Sequence, residues 1–400
     1  MAVSEMASSK SSTNLKPNKI QTAVMSALAA MSLSQSAIAA DPIDDANVDN
    51  PAGTTITGTA GYGVKLDTGG PYTIDNSGEI SAEQNGVVYG INVGLSGYQN
   101  SVTVTSINNA GTGVINAAAT ASSDAYGINI SSTSSIGTIT NSGAITASVV
   151  QDSAIGIKLS YDSSVGTLTN SGTITALADR AYASGIVLYS EGEGFLGTLN
   201  NSGLITASAG SNDAYGIILS EVSSIGTITN SGTITASADK TDAHGIRLQS
   251  QSSIGTITNS GIITASAGSS KAYGILISSA STIGTITNSG TISATAGNST
   301  VSGLLGVKGI FISSGSSITT LTNNGLIEAI SFANDAIGID FDDQYGVRGT
   351  NTITTLTNTG TISGSAVGNE GRGVKVDEKS LIISLDNQGL IQGAALGSLG

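Results

Sequence analysis

Residues 224 to 238 read "SIGTITNSGTITASA", and near-copies stand at 253 to 267 ("SIGTITNSGIITASA") and 135 to 149 ("SIGTITNSGAITASV"). Self-similarity at a regular period is the mark of a repeat architecture and constrains the fold more than any other feature of the chain. The Asn of an N-x-G unit recurs at Asn76, Asn109, Asn141, Asn170, Asn201, Asn230, Asn259, Asn288, Asn323, Asn358 and Asn387. Its spacing runs from 29 to 35 residues, with 29 repeated from Asn201 through Asn230 and Asn259 to Asn288. A second marker follows about half a period later: Gly127, Gly156, Gly185, Gly216, Gly245, Gly274, Gly338 and Gly373, each before Ile or Val.

Within a unit the apolar period is two. Ile228 and Ile234 alternate with Thr227, Thr229, Thr233 and Thr235, the pattern of a half-buried strand. Thr and Ile are β-branched, stiff at χ1, and fit the pleat better than the helix. Each unit therefore predicts three short strands, G-T-I-T-N, T-I-T-A and G-I-x-L; in the last, Ile246 and Leu248 face one side and Arg247 the other. Asn-Ser-Gly reads as a sharp bend in which Gly takes φ > 0. The other joints fall in polar stretches such as "SADKTDA" and "QSQSS", where length varies.

A three-strand unit too small to bury its own apolar face must stack on copies of itself. The expected fold is all-β, a right-handed parallel β-helix of about eleven coils. At a strand spacing of roughly 4.8 Å it would form a rod about 50 Å long. Its interior would hold rows such as Ile228/Ile257/Ile286, Ile217/Ile246/Ile275 and Ala236/Ala265/Ala294. The N-x-G Asn should point inward and stack as an amide ladder, satisfying a buried polar row.

The first 39 residues read as a targeting segment: Lys10, Lys16 and Lys19, then "IQTAVMSALAAMSLSQSAIAA" ending in small residues. That order is a secretory signal with cleavage near Ala39 or Ala40. Residues 40–53 read as a lead-in and 54–400 as the β-helix. Removing three Lys and one Glu from 14 basic and 28 acidic residues leaves a net charge of −16. Such a balance argues against nucleic acid, whose phosphates call for Lys and Arg. An exported chain could form disulfides, yet this one has no Cys.

"GTITNSGTI" alternating with "GI.L" strands resembles the passenger regions of bacterial autotransporters, over roughly residues 54 to 400. The resemblance implies a β-helix displayed at the outer membrane or released outside a Gram-negative cell, with an adhesive role toward cells, matrix or glycans. It also implies a C-terminal β-barrel translocator. The sequence stops at "LIQGAALGSLG", still in the repeat idiom and without alternating membrane strands, so a truncated passenger is expected.

No catalytic, cofactor-binding or metal-binding residues are assigned from the sequence, and no enzyme activity is expected. The only His, His244, occupies the slot held by Tyr126, Tyr215 and Tyr273 in sister repeats. In "GIDFDD", Asp340 and Asp342 share the outer face of a strand and Asp343 follows, with Tyr345 and Arg348 nearby. Paired acids there would suit a polysaccharide-active enzyme or a calcium site, while the plainer expectation is a solvated strand end. Outward T-x-T rows (Thr227/Thr229, Thr256/Thr258, Thr285/Thr287) resemble the faces of β-helical ice-binding proteins. The outward position of the third strand runs Lys158, Val187, Ile218, Arg247, Leu276, Phe311, Asp340. It reads equally as an exposed apolar contact strip and as a strip covered by the preceding loop.

Overall fold

The computed structural model describes residues 37–39, 43–58, 60–94, 101–189, 192, 194–297, 306–342, 349–367 and 369–396. It is a parallel β-solenoid of about eleven turns, in three sheets of 12, 13 and 12 strands. One coil serves for all. Its first strand is Ser224–Asn230, its second Thr233–Ala238 and its third Ala243–Leu248. Each pairs in parallel with its counterpart one coil along, residue on like residue: Ile228 on Ile257, Ile234 on Ile263, Ile246 on Ile275. Ala37–Ala39, Ile43–Asp44 and Val48–Asn50 already pair with later coils, so the pairing begins ahead of residue 54. Residues 1–36 of the targeting segment lie outside the described residues.

The expected interior rows are present. Ile228, Ile257, Ile286, Ile217, Ile246, Ile275, Ala236, Ala265 and Ala294 are all buried. Ile, Leu and Val form one continuous core, whereas Ala236, Ala238 and Ala243 belong to a separate alanine seam between the second and third sheets. Small side chains let those two sheets meet at a tight corner.

Strict alternation holds only in the second strand. In the first strand both Ile225 and Ile228 are buried, three residues apart, because Gly226 drops out of the paired register. Gly245 does the same between Ala243 and Ile246 in the third strand. A β-carbon at either glycine would sit 2.5 Å from the carbonyl oxygen of the equivalent glycine in the adjacent coil. The period-two reading therefore misses the whole Ile225/Ile254/Ile283 row.

The Asn ladder runs from Asn50 to Asn387. Each amide nitrogen donates to the next Asn oxygen, at 2.7 Å for Asn201 to Asn230 and Asn230 to Asn259. The same nitrogen reaches a carbonyl of the following coil, such as Ile262 from Asn230 at 3.1 Å. The glycine of Asn-Ser-Gly, however, does not adopt positive φ. Gly232 is there because a β-carbon would lie 2.1 Å from the Gly203 carbonyl oxygen. Its own amide bonds to the Asn201 carbonyl at 3.0 Å. Close stacking of one corner on the next demands the glycine, not a left-handed turn.

The left-handed turn lies instead between the third strand and the following first strand, on residues that are not glycine. Pairs such as Ser132/Thr133, Glu221/Val222, Ser250/Gln251 and Ser279/Ala280 have φ between 55° and 64°. This conformation costs about 1–2 kcal/mol per residue outside glycine. It is held by coil-to-coil bonds, with the Val222, Gln251 and Ala280 amides each donating to a carbonyl of the next turn at 2.9 Å. A second polar ladder lines this corner. Ser223, Ser252, Ser281 and Ser316 are fully buried, and the amides of Ser252 and Ser281 donate to the next Ser hydroxyl at 3.2 Å. The recurring "SSIG" carried that signal, the first Ser of each pair being the inward one.

Replacing Asn230 by Ala removes a rung with partners on both sides and leaves a donor and an acceptor buried unpaired. The expected loss is about 2–6 kcal/mol in denaturant unfolding at unchanged m value. Asn387→Ala, at the exposed last rung, should cost at most about 1–2 kcal/mol in the same measurement.

Candidate functional site

In-register stacking puts equivalent residues of successive coils one strand spacing apart, about 4.8 Å, so outward side chains form columns. The outer face of the third sheet carries two columns that combine aromatic, cationic and acidic side chains. One begins Tyr62, Tyr89, Tyr126 and resumes Tyr215, His244, Tyr273, Lys308. The other runs Asn92, Asn129, Lys158, Val187, Ile218, Arg247, Leu276, Phe311, Asp340.

The first column is an aromatic stack. Tyr62, Tyr89 and Tyr126 lie with ring centroids 4.9 and 5.1 Å apart, and Tyr215–His244 and His244–Tyr273 at 5.2 and 5.3 Å. Tyr273 then meets Phe311 of the second column at 5.2 Å. His244 does take the tyrosine slot. The Tyr126 and Tyr215 hydroxyls donate to Asp124 and Asp213 at 2.7 and 2.8 Å. Burial pushes the Tyr89 phenol up to about 12, and those of Tyr126 and Tyr215 higher still.

The apolar strip of the third strand is not a contact surface. Val187, Ile218, Leu276 and Phe311 are all buried. Val187 and Ile218 pack with Tyr126, Ile155, Tyr215 and Tyr189, and Leu276 with Tyr273 and Phe311. The neighbouring column packs against the strip, so its residues stabilise the coil.

The acidic cluster is likewise not a solvated strand end. Asp340 is outward by register yet fully buried, with the Lys308 ammonium 2.8 Å from one oxygen and that of Lys375 3.7 Å from the other. Burial raises its carboxyl above the ordinary range although both lysines pull the other way. Asp342, beyond the strand end, is partly exposed and 3.7 Å from Lys375. Asp343, with Tyr345 and Arg348, lies outside the described residues. Asp340 and Asp342 thus share the Lys375 cation, Asp340 has Lys308 besides, and the two do not form an open carboxylate pair. No grouping of three His or acidic side chains suited to a metal occurs among the described residues.

The threonine rows are real. Thr138, Thr167, Thr198, Thr227, Thr256, Thr285, Thr320 and Thr355 succeed one another on the outer face of the first sheet. A parallel row is broken only at Asn200 between Thr140 and Thr357.

The most unusual point on the third sheet surrounds His244. The imidazole is 2% exposed, and neither ring nitrogen has a hydrogen-bond partner. Burial, reinforced by Arg247 and Lys271, holds its pKa well below the ordinary 6.5. The Arg247 guanidinium lies 5.4 Å above the Tyr215 ring and donates to the Tyr215 hydroxyl at 3.0 Å. His244, Arg247 and Lys271 border a cleft of about 360 Å³. The site thus sets an imidazole with a depressed pKa beside two cations, with Ser278, Ser279 and Ser313 also in the cleft wall. No family model, curated protein or solved structure matches the chain.

Two measurements test these electrostatics. His244 binds its proton in the unfolded state near pH 6.5 but resists it when folded, so its contribution is complete above that pH and is lost as pH falls. Between pH 6.5 and 5 stability should drop by up to about 1.4 kcal/mol per pH unit through this group, and His244→Tyr should flatten that slope. Lys308→Ile should cost about 3–5 kcal/mol at pH 7 by stranding the Asp340 carboxylate, while Lys308→Ile with Asp340→Phe should recover most of it.

Proposed function

We propose that the chain is the passenger region of an autotransporter: an exported, surface-displayed rod whose work is structural and adhesive. The observation that carries this reading is the parallel stacked solenoid written in the "GTITNSGTI" idiom. Stacked on itself without disulfides, such a chain can cross an envelope unfolded and assemble coil by coil outside. Every coil adds about 4.8 Å of reach and one more residue to each outward column on which contacts can be placed. Polysaccharide cleavage has weaker support, since Asp340 is buried against Lys308.

A second reading is favoured by one observation. Eight successive outward Thr on a single sheet form a regular hydroxyl array, as a surface matched to ice would require.

Expression of the full chain in a Gram-negative host should yield an exported product beginning at Ala40 or Asp41. Beads coated with that product should be retained on cell, matrix or glycan surfaces. Cytoplasmic retention of the uncleaved chain, or retention no greater than for uncoated beads, would overturn the proposal. Thermal hysteresis that disappears in Thr227→Lys would move the function to the ice-binding reading.

A further inference from the structure

The cleft beside His244 has the composition of a ligand site. Its walls include the aromatic rings of Tyr273 and Phe311, the imidazole of His244, the cationic side chains of Arg247 and Lys271, and Asp242. Its volume of about 360 Å³ falls at the small end of the range for small-molecule sites, roughly 300–1,000 Å³. His244 is almost wholly buried at its edge with both nitrogens unpaired. Such a group costs about 1–3 kcal/mol unless something satisfies it. Sister coils avoid that cost by placing Tyr in the same slot, with its hydroxyl on an Asp two residues earlier, as in Tyr126 and Tyr215. The coil of His244 gives up that arrangement.

The unmet valences define the ligand. A neutral imidazole offers one N–H and one bare nitrogen, and a hydroxyl can bond to either, accepting from the first or donating to the second. The Arg247 Nε is also buried without a partner. Among the described residues neither Arg247 nor Lys271 lies in a salt bridge, in a chain of net charge −14. The acid in the cleft wall, Asp242, already accepts the Ser270 hydroxyl at 2.5 Å and the Lys271 amide at 3.2 Å through one of its oxygens. An anion is therefore wanted beside the hydroxyl, and apolar ring edges supply a wall for C–H groups.

From this geometry we infer that the His244–Arg247–Lys271 cleft binds an acidic saccharide unit, its carboxylate on the two cations and a ring hydroxyl on the imidazole. The inference rests on the surface-contact reading above and names its chemistry.

The test uses the full chain and three probes: tetragalacturonate, neutral maltotetraose and a hexaglutamate peptide. Titration calorimetry gives affinity. Because the chain has a single His, one pair of imidazole ¹⁵N resonances reports the site directly. Tetragalacturonate should bind, shift those resonances and outcompete both other probes. His244→Tyr and Arg247→Ile install residues that the adjacent coil carries in the same columns, so both variants should fold. Each should weaken tetragalacturonate by at least about tenfold, the equivalent of about 1.4 kcal/mol. No binding, equal binding of hexaglutamate, or affinity unchanged in both variants would overturn the inference. Bead retention that persists in His244→Tyr while tetragalacturonate fails to bind would sink the cleft alone. Loss of retention by the wild-type chain would sink the adhesive reading instead.

Discussion

Parallel pairing of each strand with its own copy one turn away governs this molecule. Because the strands of successive coils pair in register, a paired residue sits about 4.8 Å from its equivalent, and its side chain is selected for how well it stacks on itself. Ile on Ile and Ala on Ala fill the interior without voids. Asn on Asn closes a hydrogen-bonded row in which each amide is both donor and acceptor. A charged residue repeated in such a row would repel its neighbours, which accounts for a chain with only 10% charged residues.

The same stacking makes each corner a distinct physical problem. At Asn-Ser-Gly the coils approach so closely that a β-carbon at Gly232 would overlap the carbonyl below it. At the second corner, alanine supplies the small volume. The third corner tolerates left-handed residues because their amides and the inward serines bond from coil to coil. The cost of an unfavourable conformation is offset by bonds that only the neighbouring turn can provide.

Where the columns change identity, chemistry can appear. The third sheet's outer face carries an aromatic stack in which His244 takes a tyrosine slot, and beyond it Lys308 and Asp340 replace aromatic residues in the two columns. Lys308 and Asp340 answer each other across adjacent coils at 2.8 Å. His244 has no such answer within the described chain. One departure from the repeat is internally compensated and the other is not, which separates a structural ion pair from a binding cleft.

Fold class, coil number, interior Ile and Ala rows and the Asn ladder were all legible in the sequence, because a repeat prints its stacking directly in its period. The slot shared by His244 and the tyrosines was legible for the same reason. Four things were not. The serine ladder and the Ile225 row were hidden by a glycine that breaks strict alternation, and the role of Gly232 depends on the distance to a carbonyl 29 residues away. The burial of Val187, Ile218, Phe311 and Asp340 on a nominally outward face was beyond reach as well. Periodicity tells which side of a strand a residue takes; only the packed coils decide whether neighbouring columns then exclude water from that side, and so whether a charge there is solvated, paired or left waiting for a ligand.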